Sequence, residues 1–501
     1  MIEWRIDALA MEDDSADQVI TLVRDCPLPC IVTCRIESEG GEFAGDEVTR
    51  LAILRRLIES DRPPRYVDLE LAALQRDPRV RQFVGSHFKP EHSASGGLKT
   101  SLILSSHDFQ TRPPGLIQRI EAMVNEPACA VVKVAWQARS LRDNLEAFEL
   151  LRERRKPMIA LCMGRFGLMS RVMAAKFGGL LTYAVPGDDV FEATAPGQPT
   201  IEQLVKLYRF DRICAATKVY GVIGWPVEHS LSPQFHNDAF EKAGHDGVYL
   251  PLPIPPEWEH FKATVGALLD FKPLDFRGAS VTIPHKENLL RFVRERSGQV
   301  DELAQRVGAA NTLIVNDDGS IECANTDAPA AVDAMSAGMQ INRTALAGRK
   351  VAILGAGGMA RAAAVGFASA GANVIIFNRT QDKARALAAE LSSRGLQGKI
   401  VPGKPGRIDC GCFDIIINCT LLGMEGGPAP GESPLPPDAP LDENVTVMDT
   451  VYAPAPGQTP LLKQAAARGA RTISGIELFN RQAAMQFERW TGARLPEFNS
   501  K

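Results

Sequence analysis

Over its first ~205 residues the chain alternates short apolar runs with helical stretches, and that alternation leaves few folds open. The runs are "IEWRID", "CIVTCRI", "YVDLEL", "SLILSSH", "AVVKVAW", "MIALCMG" and "GLLTYAV". Strands separated by helices predict parallel βα units, and strands that are apolar nearly throughout suit a sheet covered on both faces. The expected α/β fold of this region is a (β/α)8-type barrel. About seven runs stand where a closed barrel needs eight, and the first begins at the initiating methionine, so a strand is expected to be missing at the front.

One residue breaks the apolar pattern. If Ala130–Trp136 is a strand, Val131, Lys133 and Ala135 share one face and Val132, Val134 and Trp136 the other, and both faces read as buried. Taking an ammonium out of water costs several kcal/mol or drives its pKa down, so a lysine is rarely kept there without a use. A strand-end lysine snorkelling to solvent is the plain alternative. An amine whose pKa is lowered by burial is a nucleophile for a ketone, and the resulting iminium withdraws electrons from the neighbouring carbon. His107 closes the preceding strand in "LSSHDF", Arg35 and Glu39 follow an earlier one in "TCRIESEGGEF", and "GLMSR" and "TAPGQ" add Arg171 and Gln198. In such barrels, residues from several strand ends converge at the C-terminal mouth.

A proline- and glycine-marked segment, "EATAPGQPT", precedes a change of pattern near residue 212. Mixed strands and helices then lead to "ALAGRKVAILGAGGMARAAAVGF", which reads strand, glycine turn, helix, followed by a second strand in "NVIIFNRT". This is a nucleotide-binding βαβ unit with its turn at Gly355, Ala356, Gly357 and Gly358. The glycines allow a tight turn, and the helix N-terminus faces a pyrophosphate. Where an NAD site carries an acidic residue, this chain has Asn378, Arg379 and Thr380, with Lys383 a turn later. Cations there favour the extra phosphate of NADP, a solvated surface arginine being the alternative.

Ahead of that unit, "GASVTIPHKEN" sets Lys286 after a proline turn, and "GAANTL" and "CANTDAP" place Asn311 and Asp327 at strand-to-loop junctions. Hydride transfer between a secondary alcohol and a ketone needs a group to exchange the hydroxyl proton, and a lysine beside a carboxylate can do so. "HSLSP" sets Ser230 and Ser232 at a helix start. Singly, the serines read as caps, the lysine as solvated and Asp327 as a cap.

The charge balance, 56 basic against 60 acidic residues, indicates neither a nucleic-acid footprint nor a polybasic membrane patch. No apolar segment approaches a membrane span, and "MIEWRID" is unlike a signal peptide. Ten cysteines lack zinc-finger spacing, so no metal is expected. These features predict a soluble cytoplasmic protein acting on small molecules, and leave its oligomeric state unknown.

From about Lys218 to Glu497 the motifs "VYGVIGWPVEHSLSP", "VTIPHKE", "GAANTL", "NTD", "GAGGMARA", "NRT" and "GIELFNRQ" stand in an order that resembles the shikimate dehydrogenase family. The resemblance implies that Lys286 and Asp327 form a catalytic pair. It also implies that Ser230, Ser232, Thr282, Asn311, Gln482 and Tyr452 contact substrate, and that the turn glycines, with Asn378, Arg379, Thr380 and Lys383, hold NADP(H). "NTDAPA" lacks the family's usual glycine after the aspartate, and "NCTLLGM" varies the loop near the nicotinamide.

From about residue 2 to 209, "EWRID", "CRIESEGG", "SSHDF", "VVKVAW", "GLMSR" and "TAPGQ" resemble the type I 3-dehydroquinate dehydratase family. The resemblance implies a Schiff base on Lys133, proton transfer by His107, and a Glu39 that orients and tunes the histidine. Glu3, Arg5, Arg35, Arg171, Thr194 and Gln198 match positions that hold substrate or base, Thr194 replacing the family's usual serine. The whole order resembles the bifunctional enzymes of plants.

The organisation expected is a dehydratase barrel over 1–211, a substrate-binding domain over 219–335, a Rossmann-like NADP domain over 336–473 and a helical segment over 474–501 that returns to the substrate domain. The function implied is dehydration of 3-dehydroquinate followed by NADPH-dependent reduction to shikimate. The alternative is a quinate/shikimate dehydrogenase or regulatory homologue with an impaired dehydratase half.

Overall fold

The computed structural model describes residues 1–12, 15–88, 100–187, 196–404, 413–452 and 458–495. The chain divides into two compact units, Met1–Thr217 and Lys218–Lys501.

In the first unit the described elements run β1 (Ile2–Arg5), α1 (Ser15–Asp25), β2 (Cys30–Thr33), α2 (Glu47–Ile58), β3 (Tyr66–Glu70), α3 (Leu71–Arg76), α4 (Pro78–His87), β4 (Ser101–Asp108), α5 (Leu116–Asn125), β5 (Cys129–Gln137), α6 (Asp143–Arg152), β6 (Met158–Met163) and α7 (Leu168–Val172). The six strands form one parallel sheet in chain order. Alternation puts Trp136 on the helix-covered face, fully buried, and Lys133 on the opposite face beside Ser105 of β4 and Ile159 of β6. That second face carries a dry cluster of Ile31, Ile103, Val131, Ile159 and Leu161.

The expected seventh strand, "GLLTYAV", does not form a ladder. Leu180 N–H bonds Met158 C=O at 2.9 Å, and Val185 makes one isolated bridge to Thr200. Apolar composition alone does not make a strand; it needs a partner edge along its length, and here the edge is met only near the two ends of the run.

The second unit holds two sheets. The first is built from β7 (Lys218–Gly224), α8 (Ser232–Ala243), β8 (Gly247–Pro253), α9 (Trp258–Asp270), β9 (Phe276–Val281), α10 (Lys286–Glu295), β10 (Gln299–Val300), α11 (Glu302–Val307), β11 (Thr312–Val315) and β12 (Ile321–Ala324). Its strand order is β10-β12-β11-β9-β7-β8, with β11 antiparallel to both neighbours. Then follow α12 (Asp327–Met339), β13 (Lys350–Leu354), α13 (Gly358–Ser369), β14 (Asn373–Phe377), α14 (Gln381–Ser392), β15 (Ile400–Pro402), β16 (Ile415–Asn418), β17 (Thr446–Asp449), α15 (Pro460–Ala467), β18 (Arg471–Ile473) and α16 (Gly475–Thr491). This second sheet is parallel, in the order β15-β14-β13-β16-β17-β18. Strand order reverses between β13 and β16, the crevice where doubly wound sheets bind ligands.

Two packing features position the later site. Small residues line both α12 and α13: Ala328, Ala331 and Ala364 are fully buried, and a Cβ on Gly366 would lie 2.8 Å from Ala328 O. The start of α12 therefore packs closely against the C-terminal half of α13. Helix α16 returns to the first sheet, where Phe487 packs with Tyr220, Phe240 and Tyr249, and Trp490 Nε1 donates to Leu313 O at 2.9 Å.

Candidate active sites

In the first unit the polar residues of the Lys133 face form one network. Lys133 Nζ donates to Asp68 Oδ2 at 2.8 Å and lies 3.5 Å from Glu3 Oε1 and 4.6 Å over the Tyr183 ring. Asp68 Oδ1 accepts from Arg35 Nη2 at 2.8 Å and from Ser105 Oγ at 2.6 Å. Arg35 also donates to Ser105 Oγ and to Glu70 Oε1, and Arg50 donates to Glu70 Oε2 at 2.7 Å. Asp68, Glu70 and Arg50 are fully buried, and Lys133 is 5% exposed. Buried charges are tolerable only when paired and hydrogen-bonded, as each of these is.

The expectation of a lysine pKa lowered by burial is overturned here. Burial does push it down, but Asp68 and Glu3 outweigh that and hold the ammonium above the usual lysine range. Asp68 is held far below the usual carboxylate range: Arg35 and Lys133 overcome its desolvation. His107, unlike Lys133, is driven well below its ordinary value by burial and by the cations Arg35 and Lys133. Its imidazole is therefore neutral. Glu39 Oε2 accepts from the His107 backbone N–H at 3.0 Å and lies 3.3 Å from Nδ1. Burial lifts the Glu39 carboxyl to about 7.

The remaining expected residues divide by what already occupies them. Arg5 is paired with Asp7, and Thr33 Oγ1 donates to Glu3 Oε1. Arg171, on α7, is 2% exposed, its Nε has no hydrogen-bond partner among the described residues, and burial pushes the guanidinium down to about 10. Gln198 is buried. Thr194 lies outside the described residues.

In the second unit Lys286 and Asp327 are each the first residue of a helix, α10 and α12, and Lys286 Nζ donates to Asp327 Oδ2 at 2.6 Å. A helix N-terminus favours a carboxylate's charge. Asn311 Nδ2 donates to Thr326 Oγ1 at 2.9 Å and to Gln482 Oε1 at 3.4 Å, while its Oδ1 accepts from Thr326 N–H. Ser230 Oγ accepts the N–H of Ser232, the first residue of α8. Thr282 follows β9, and Tyr452 lies against the Leu231 backbone and the Phe479 ring. Serines, asparagine, glutamine and tyrosine here offer donors and acceptors for a polyhydroxy compound.

The glycine turn joins β13 to α13 at the strand-order reversal. Gly355 has φ +115°, and a Cβ there would lie 2.9 Å from Cys419 O on the far side of the crevice. At Gly357 a Cβ would meet nothing within 4 Å, so the N-terminus of α13 is open to a phosphate. A Cβ on Gly358 would lie 3.1 Å from Lys286 Cδ, so the lysine passes directly beside the turn. Asn378 Nδ2 donates to Thr380 O, shaping the loop after β14. Arg379 and Lys383 are exposed there and ion-pair with no described residue. The open turn and these cations fit a nucleotide bearing an extra phosphate.

The type I 3-dehydroquinase family matches residues 1–214, the shikimate dehydrogenase substrate-binding domain residues 222–313, and the shikimate/quinate 5-dehydrogenase family residues 337–420. The chloroplastic bifunctional 3-dehydroquinate dehydratase/shikimate dehydrogenase of Arabidopsis thaliana is 35% identical over 512 residues, covering 99% of this chain and 78% of that one. The chain belongs to this bifunctional family. Its dehydrogenase half is 41% identical over 279 residues to the NADP(+) shikimate dehydrogenase of Methanocella arvoryzae, covering 56% of this chain and 94% of that one. The shikimate 5-dehydrogenase of Thermus thermophilus, solved with NADP(H) and shikimate, is 34% identical with a TM-score of 0.47, over 56% of this chain and 95% of that one. A dehydratase (lyase) unit and a dehydrogenase (oxidoreductase) unit are thus both present.

Sequence reasoning missed Asp68, Glu70 and Ser105 in the dehydratase unit. The signal was there: in "YVDLEL" two carboxylates alternate within an apolar strand. In the dehydrogenase unit it missed Gln486, whose Nε2 donates to Asn311 O and Thr312 Oγ1 and whose Oε1 accepts from Ser280. Gln482 and Gln486 are four apart on α16 and share a face. Among the described residues no cluster of three or more His, Cys, Asp or Glu could hold a metal ion, and no helix is long and apolar enough to cross a membrane.

Proposed function

We propose that the dehydratase unit converts 3-dehydroquinate to 3-dehydroshikimate and that the dehydrogenase unit reduces this to shikimate with NADPH. The observation that carries the reading is the pair of lysine–carboxylate contacts, buried Lys133–Asp68 and part-buried Lys286–Asp327, one in each family-matched unit. In the first unit the neutral His107 takes one ammonium proton, Nζ of Lys133 bonds to the ketone carbon, and the carbonyl oxygen leaves as water with that proton, returned by His107, and a second one from Nζ. The iminium acidifies the adjacent C–H, whose proton His107 accepts and passes to the neighbouring hydroxyl, which leaves as water; a water molecule then hydrolyses the conjugated iminium, breaking its C–N bond to release the enone and return the Lys133 ammonium. Glu39 holds the imidazole through Nδ1, and Arg171, which ion-pairs with no carboxylate among the described residues, is suited to the substrate's.

In the second unit Ser230, Ser232, Thr282, Asn311, Gln482 and Tyr452 orient the ring hydroxyls and carboxylate, and Lys286 with Asp327 delivers the proton to the ketone oxygen. The open helix end at Gly357, with Arg379 and Lys383, would hold NADP(H), which supplies the hydride when bound. The free cysteines Cys26, Cys30, Cys34, Cys129 and Cys162 of the first unit support a reducing compartment such as the cytoplasm.

A coupled assay tests the whole: 3-dehydroquinate and NADPH are supplied with this chain alone. Oxidation of NADPH is expected. Reduction of added 3-dehydroshikimate without turnover of 3-dehydroquinate would leave only the dehydrogenase half of the proposal, and turnover of quinate in preference to shikimate would replace its substrate.

A further inference from the structure

We propose that Asp68 is a positioning residue for the dehydratase reaction, the fixed counter-ion that holds Nζ of Lys133 in one place as the ammonium before the ketone arrives and as the iminium afterwards. The proposal rests on the Schiff-base reading of this unit.

Asp68 lies on β3, two strands from Lys133 on β5, so the lysine side chain must reach over Ser105 of the intervening β4 to meet it. The carboxylate has no freedom to follow or retreat. Its Oδ1 is taken by Arg35 and Ser105, leaving Oδ2 for the lysine. Arg35 is itself pinned by Glu70, and Glu70 by Arg50, all within 3.2 Å. The apolar cluster of Ile103, Val131 and Ile159 flanks this network on the same face. In such low-dielectric surroundings an ion pair is both strong and costly to break.

Around Lys133 the described charged and titratable groups are Glu3 from β1, Arg35 after β2, Asp68 from β3, His107 from β4 and Tyr183 after β6. Glu3, at 3.5 Å, makes the weaker contact, so Asp68 decides where the nitrogen sits.

The chemistry explains why one carboxylate can serve throughout. Schiff-base formation converts an ammonium and a ketone into an iminium and water: one C–N double bond forms, the C=O bond breaks, and two of the three ammonium protons leave with the oxygen. Charge at the nitrogen is +1 at both ends, so a fixed carboxylate stabilises start and finish alike and opposes only the neutral amine between them. Removing its charge should let the amine appear at lower pH while leaving the iminium misplaced and without its partner.

The test compares the full chain with Asp68→Asn by borohydride trapping of the 3-dehydroquinate adduct from mildly acidic to mildly alkaline pH, with reduction of 3-dehydroshikimate as the control for the other unit. The half-maximal pH for trapping is expected to fall by about one unit or more, and dehydration kcat by about ten-fold or more, with reduction unchanged. Superimposed trapping profiles would overturn the role of Asp68 alone. A wild-type chain that reduces but never traps would remove the Schiff-base reading beneath it. Should Asp68→Asn fail to fold, competitive acetylation of the wild type decides: Lys133 is expected to react more slowly than surface lysines at every pH, and faster labelling near neutrality overturns the proposal.

Discussion

Lys133 and Lys286 meet their carboxylates from different kinds of element. Lys133 stands in the middle of a strand, its side chain 7% exposed, within a web of alternating charges drawn from β3, β5, α2 and the loop after β2. Lys286 opens a helix, its side chain 13% exposed, and meets one carboxylate that opens another helix. The difference matches the tasks. A covalent nucleophile must be held at one point through several steps, which a rigid sheet and a fixed counter-ion provide. A proton donor must reach a substrate that arrives and leaves, and the end of a helix at the mouth of a crevice leaves it that access.

Four measurements sharpen or break this contrast. Lys133→Ala is expected to lower dehydration by about a thousand-fold or more and to leave reduction untouched; loss of both activities in a folded chain would deny independent sites. Lys286→Ala or Asp327→Asn is expected to lower reduction kcat by about a hundred-fold or more, with borohydride trapping at Lys133 intact. Replacing both Arg379 and Lys383 by alanine is expected to raise KM for NADPH about ten-fold and leave that for NADH nearly unchanged, read from initial rates. Gln486→Ala strands Ser280, Thr312 and the Asn311 carbonyl, at a cost of about 1–3 kcal/mol, and is expected to lower the thermal midpoint and raise substrate KM a few-fold.

The contrast extends to pH. Glu39 titrates at about 7 because burial penalises its charge. Above that pH the carboxylate accepts Nδ1–H of His107 and leaves Nε2 free as the base; below it the protonated acid no longer does so. Dehydration should therefore rise with pH through about 7. The sign for stability is opposite: a carboxyl whose folded value is raised contributes stability below its ordinary value and loses it as pH climbs through about 7. Glu39→Gln should flatten both the activity step and that loss, measured by kcat and by melting.

How much of this was legible follows from what each signal depends on. The βα alternation, the glycine turn and the position of Lys133 are local patterns, set by period and spacing, and they read directly from the chain. "GLLTYAV" misled because a strand is defined by its neighbour's edge, which composition does not carry. Asp68 and Glu70 do not stand out in "YVDLEL" because a strand of alternating polar and apolar residues also fits a half-solvated sheet, and only the buried Arg35, Arg50 and Lys133 show that this polar face is inside. The protonation of Lys133 was misjudged because burial and counter-charge pull oppositely, and only the distance to Asp68 decides between them. Gln486 supports Asn311 from 175 residues away, a pairing no window could show.

The close pass of Lys286 by Gly358 ties two duties to one spot. A methyl group added to the phosphate-facing turn would press on the proton-donating side chain, so neither can be redesigned alone. An altered coenzyme preference sought through this loop must reckon with turnover as well as affinity, whereas changes at Arg379, beyond the next strand, leave the amine where it is.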